Sequence, residues 1–202
     1  MTIEVLTWNC AFGVMAGYLW PEMHGVKEDW IAAVNAFQPA VLSRLAGRAL
    51  TGYRELAPEV TESDFGNMTT VANWNADRPY ESGSSVIAPS GCLVTAGKGN
   101  LLAGVFVQRF NGEPLSEGPH YLVLEHKNQA WEIRQPVGED TNLAFQIAPG
   151  WSGPVNAVGR DGRLVPAQFE LQNGRLTFRY SRSLQGLAVD HYELGTARIR
   201  FM

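Results

Sequence analysis

Charge is scarce in this 202-residue chain, and it does not lean to the basic side. Only 18% of residues are Asp, Glu, Lys or Arg, and 16 Lys+Arg against 20 Asp+Glu leave a formal net charge of −4. Nucleic acid is held chiefly by clustered cations, so it is excluded as an expected partner. Long hydrophobic runs are also missing. No segment approaches the roughly 20 apolar residues that cross a bilayer, so no membrane partner is expected. The opening Met1-Thr2-Ile3-Glu4 has neither the basic nor the apolar stretch of a secretory signal.

Cysteine is nearly absent. Cys10 and Cys92 stand in no CxxC or Cys/His spacing, which argues against structural zinc. They are read as two small buried side chains rather than a disulfide, and they leave the redox compartment open. No GxSxG, HExxH or phosphate-binding glycine loop occurs. The four histidines, His24, His120, His126 and His191, show no mutual spacing typical of a metal site. Glu55, Glu59, Glu62 and Asp64 cluster, and read as an acidic connector rather than paired catalytic carboxylates. No catalytic residue, metal ligand or cofactor is therefore expected.

What the chain does contain is apolar residues at 45%, enough for a core, with Gly 21, Pro 11, Phe 9, Tyr 6 and Trp 6. Glycine and proline punctuate turns, and aromatics favour pleated, half-buried surfaces. Many short strands joined by tight turns follow from that mixture.

The chain changes character near residue 55. Thr2–Thr7 alternates and is predicted as one strand, followed by a loop from Val14 to Gly25. Trp30, Val34, Phe37, Val41 and Leu45 then form one helical stripe, with Asp29 as a candidate N-cap and Pro39 as an interruption. Residues 1–60 thus read as a strand–loop–helix segment. From 65 to 202 the pattern is β throughout and predicts an antiparallel β-sandwich of about ten strands. Asn173-Gly174, Asp161-Gly162 and Asn111-Gly112 are hairpin signals, because the turn type needs residues that accept positive φ. The fold class is mainly β. A lone strand and an amphipathic helix cannot cover their own apolar faces, so the first 60 residues require packing partners.

Two resemblances bear on function. Leu6-Thr7-Trp8-Asn9-Cys10-Ala11-Phe12-Gly13, Val71-Ala72-Asn73-Trp74 and Ile87-Ala88-Pro89-Ser90-Gly91 carry the first. This pattern, with Phe65-Gly66-Asn67 between, resembles the C-terminal end of large bacterial glycoside hydrolases. There the last β/α unit of a (β/α)8 barrel runs into an all-β domain. The resemblance implies that residues 1–60 are a barrel remnant, that Ile3–Leu6 is its last strand, and that the catalytic acids lie elsewhere. The barrel would then be the partner, and this chain a non-catalytic accessory domain stabilising it. It also implies that Trp8 and Asn9 stand at the rim of a substrate cleft.

The second resemblance is to the metal-dependent endonuclease/exonuclease/phosphatase family, through Thr7-Trp8-Asn9, Asp190-His191 and, imperfectly, Gly138-Glu139-Asp140-Thr141-Asn142. It implies divalent-metal chemistry. The family's metal-binding glutamate is missing, however: the corresponding stretch reads Leu42-Ser43-Arg44-Leu45, and an arginine repels a dication.

An independent carbohydrate-binding module is the remaining reading. Sugars stack on exposed tryptophans flanked by polar groups. Trp131, beside Asn128-Gln129, and Trp151, in the turn Pro149–Gly153, join Trp8 and Asn9 as candidate carbohydrate contacts.

Overall fold

The structure is a computed structural model that describes residues 2–13, 28–97, 99–195 and 198–201. It is a mainly β, antiparallel sandwich with helices on its outside. The expected loop Val14–Gly25 lies outside the described residues.

A large sheet runs, in spatial order, through Gly52–Ala57, Val60–Asp64, Met68–Asn73, Cys92–Ala96, Leu101–Phe106, His120–Lys127, Ala130–Val137, Leu187–Gly195, Val155–Gly159 and Leu164–Pro166. A smaller sheet of Phe169–Gln172, Arg175–Tyr180, Thr141–Ile147 and Ile199–Arg200 faces it. The sandwich core lies between them. Leu102, Phe106, Leu122, Leu124 and Ile133 from the large sheet meet Leu143, Phe145, Leu176 and Phe178 from the small one.

The alternate residues of the same strands point the other way. Leu101, Ala103, Val105, Tyr121 and Val123 pack against the helices. The strands Leu101–Phe106 and His120–Lys127 are therefore covered on both faces, which explains why they read as near-continuous apolar runs. Gly104 in the first of them has no room for a side chain. A Cβ there would lie 2.4 Å from the Cys92 carbonyl oxygen and 2.8 Å from the Phe106 ring.

The N-terminal expectation is corrected. Thr2–Phe12 is an α-helix (α1), so Ile3–Leu6 is not a barrel strand. Six alternating residues are too few to separate the two periods, and Leu6 and Cys10 also stand on one helical face. α1 packs on Met68–Asn73 and Cys92–Ala96, with Leu6, Cys10 and Ala11 fully buried. The predicted stripe is borne out across the second helix (α2, Glu28–Phe37) and the helical turns that continue it, where Phe37, Val41 and Leu45 are fully buried. Asp29 lies inside its first turn rather than at the cap. Pro39 does not break the helix: a π-turn, Gln38–Leu42, absorbs the missing N–H, and Ser43–Leu45 resumes α geometry. Both helices thus find on this chain's own sheet the cover that the sequence had sought elsewhere.

The acidic connector is corrected too. It forms the edge hairpin Gly52–Ala57 and Val60–Asp64, with Arg54 paired to Glu62. The stretch Val165–Leu171 is divided between the sheets, with Leu164–Pro166 in the large and Phe169–Gln172 in the small. The three hairpin signals hold, and Asn173 and Gly174 both have positive φ, as do Asn111 and Gly112. At Asp161-Gly162 the hairpin forms, but only Gly162 has positive φ.

Candidate functional site

The residues that carry the glycoside hydrolase resemblance meet at one junction. Asn73, fully buried, sends its side-chain amide to the carbonyls of Ala88 (3.0 Å) and Arg78 (2.8 Å). Its backbone N–H donates to the Gly91 carbonyl (2.9 Å), and the Ser90 N–H donates to the Asn75 carbonyl (2.7 Å). The Asn75 amide donates in turn to the Asn73 side-chain oxygen (2.9 Å). The Val71–Trp74 and Ile87–Gly91 segments are therefore two halves of one hydrogen-bonded corner. α1 is tied to it: the Thr7 hydroxyl donates to the Ser90 carbonyl (2.7 Å), and the Thr70 hydroxyl to the Cys10 carbonyl (3.0 Å).

Cys10 and Cys92 are free thiols beneath α1, as the reading of two small buried side chains expects. A hydrogen bond to Cys92 and burial together push the Cys10 thiol well above its ordinary range.

α1 is apolar on its outer face as well. Val5, Trp8 and Phe12 are 37%, 58% and 40% exposed, spaced to share one side of the helix. Trp8 lies 4.6 Å from Phe12 between ring centroids, and both lie 6.1 Å from Trp74. The Trp74 indole N–H donates to the Thr61 hydroxyl (2.8 Å), which fixes that ring in the edge of the sheet. The result is an aromatic platform of three rings on a rigid corner.

The other expected contacts are placed differently. Asn9 does not stand at a rim: it is buried, and its amide nitrogen has no partner among the described residues. Trp131 is only 3% exposed, with Phe201 and His126 edge-on at 5.6 and 5.5 Å, so its faces cannot stack on a sugar. Its neighbours Asn128 and Gln129 are turn residues with positive φ, joining His120–Lys127 to Ala130–Val137. Trp151 packs on the sandwich core against Phe169 and donates its indole N–H to the Gly195 carbonyl (2.6 Å). It plugs the end of the sandwich.

The parts of the metal phosphoesterase resemblance are not assembled. α1 carries Asn9 over Met68–Asn73 and Cys92–Ala96, whereas Asp190 lies four strands beyond Cys92–Ala96 in the sheet order. At about 4.8 Å per strand that is roughly 19 Å. Arg44, the residue standing where a metal-binding carboxylate was sought, pairs instead with buried Glu125.

A polar cluster went unread in the sequence. Glu132 on Ala130–Val137 stands directly opposite Glu193 on Leu187–Gly195. His191 is two residues from Glu193 on the same strand. One ligand atom from each of the three lies within 4.8 Å of the others. Their sequence spacing of 59 and 2 residues carries no signal; only strand register brings them together. Beside them a cleft of about 680 Å³ opens against α2, with Asp29, Asn35, Arg134, Arg160, Arg182 and Asp190 in its walls.

Comparison with family models, with curated proteins and with solved structures finds no match to this chain.

Proposed function

We propose that this chain is a non-catalytic accessory β-sandwich region of a glycoside hydrolase-like protein, and that it packs against the (β/α)8 barrel domain of that protein through the outer face of α1. One observation carries the reading: α1 is apolar on both sides, and its outward Val5, Trp8 and Phe12 are exposed beside Trp74. A helix that is hydrophobic all round is a helix built to be covered. The inner side is already covered by this chain's sheet, so the platform is left for a second surface. The junction of Asn73, Asn75 and Ser90 supports the same reading, because it holds that face rigid at the place where the resemblance is densest.

With the barrel absent, the platform is expected to find itself. Light scattering of the isolated chain should show concentration-dependent association. The double variant Trp8→Glu, Phe12→Glu should weaken it at least tenfold, since a buried tryptophan anchor is worth about 2 kcal/mol or more. A wild-type chain that stays monodisperse and monomeric at high concentration overturns the docking reading.

A carbohydrate contact is the second reading, favoured by the exposed ring of Trp8 next to Trp74. Calorimetry with soluble glycans separates the two. Heat that disappears in Trp8→Ala and Trp74→Ala, but not in Trp151→Ala, replaces docking by sugar recognition.

A further inference from the structure

We propose that Glu132, His191 and Glu193 form a binding site for one divalent transition-metal ion of the zinc class. This is independent of the docking face, which lies on α1 and Trp74.

The argument starts from register. Glu132 and Glu193 are directly opposed across antiparallel strands, and like charges so placed repel unless a cation sits between them. His191 is on the same strand as Glu193 at the two-residue spacing that puts side chains on one face. His191 is almost fully buried, and Glu132 half-buried, so the repulsion is only partly screened by water.

The imidazole is oriented for a ligand. Its Nδ1 lies 2.8 Å from Asp190 Oδ2, and an N–H there donates to that carboxylate. In the neutral ring this tautomer leaves a lone pair on Nε2, which faces Glu193 Oε1 at 3.3 Å. Two acceptors then point at each other. Ligands about 2.0–2.1 Å from a tetrahedral zinc are themselves about 3.3 Å apart, so this separation is the edge such an ion would span. A carboxylate on the far nitrogen is the usual way a metal-binding histidine is held.

The surroundings leave the inner oxygens available. Arg134 Nη1 is 2.6 Å from Glu132 Oε2, and its Nη2 is 3.7 Å from Asp190 Oδ2. Lys127 reaches the same Glu132 oxygen at 3.9 Å but sits closer to Glu125, at 3.0 Å. The cations thus engage Glu132 through Oε2, and Oε1 can turn toward His191. One imidazole with two carboxylates suits zinc or its neighbours better than calcium, which takes oxygen alone. Asp190 and Arg134, which touch the cluster, also line the cleft against α2.

The test uses the untagged full chain after treatment with a chelator. Titration with Zn²⁺ should saturate at one equivalent and raise the melting temperature, and Co²⁺ should give the visible absorption of a low-coordinate site. His191→Ala and Glu193→Gln should each weaken binding by at least about tenfold, whereas His126→Ala should bind as the wild type does. Circular dichroism checks that the variants fold, and Glu193→Gln changes little else if one does not. No heat and no thermal shift with Zn²⁺, or equal affinity in His191→Ala and the wild type, overturns the proposal. In that case a doubly protonated His191, donating to both Asp190 and Glu193, accounts for the cluster.

Discussion

His120 shows how one buried polar residue is held by its protonation state. It is fully buried, with Nε2–H donating to the Ser116 carbonyl (3.0 Å) and Nδ1 receiving the Gln135 amide N–H (3.3 Å). The neutral ring satisfies both partners; a proton on Nδ1 would face another donor. Burial holds its pKa below the ordinary 6.5, partly opposed by the Ser116 carbonyl and by Glu139. A depressed histidine contributes its full stability above the unfolded value. That contribution is lost as pH falls from about 6.5 toward the lower folded value. Denaturant unfolding at a series of pH values from 8 to 5 should therefore show a loss of stability on acidification that is shallower in His120→Gln. Parallel pH profiles for the two proteins would remove His120 from the account. Gly138 completes this site by necessity. At φ +131° it leaves room for the ring, and a Cβ there would lie 2.7 Å from His120 Nδ1.

At the scale of elements, the second helical segment is fastened to the sheet by charge as well as by its apolar stripe. Glu125 is 2% exposed and accepts from Arg44 on the last helical turn, with Lys127 beside its other oxygen at 3.0 Å. A carboxylate so buried needs both cations, because removing one partner leaves an incompletely compensated charge. Arg44 and Lys127 are themselves 41% and 44% exposed, so water screens part of the interaction. Arg44→Met is expected to cost about 1–2 kcal/mol in urea unfolding, below the 3–5 typical of a fully buried pair. Adding Lys127→Met should cost more than its own single substitution, since both act on one carboxylate. Strict additivity in the cycle would show that the two cations act separately.

At the scale of the whole molecule, the two layers outside the large sheet share its central strands. Leu101–Phe106 gives Leu101, Ala103 and Val105 to the helices and Leu102 and Phe106 to the small sheet. Neither core can lose its packing without exposing the strands that support the other. Unfolding should accordingly be one transition, with the tryptophan fluorescence and far-ultraviolet circular dichroism curves coinciding. Two separated midpoints, one for the helical layer and one for the sandwich, would contradict the shared-strand account.

The β-sandwich, the helical stripe from Trp30 to Leu45 and the three hairpins were legible in the chain, because each rests on local periodicity or on a turn residue's backbone freedom. Asn173-Gly174 needs nothing beyond its own φ angles. Tertiary structure alone decided that Thr2–Phe12 is a helix, since its residues suit either period until Leu6 and Cys10 meet the sheet. It alone buried Trp131 while leaving Trp8 open, two tryptophans with equally polar neighbours in the chain. It alone brought Glu132 to His191 and Glu193, because the register between strands far apart in sequence is set by the packing of both sheet faces, and nothing local to those residues encodes it.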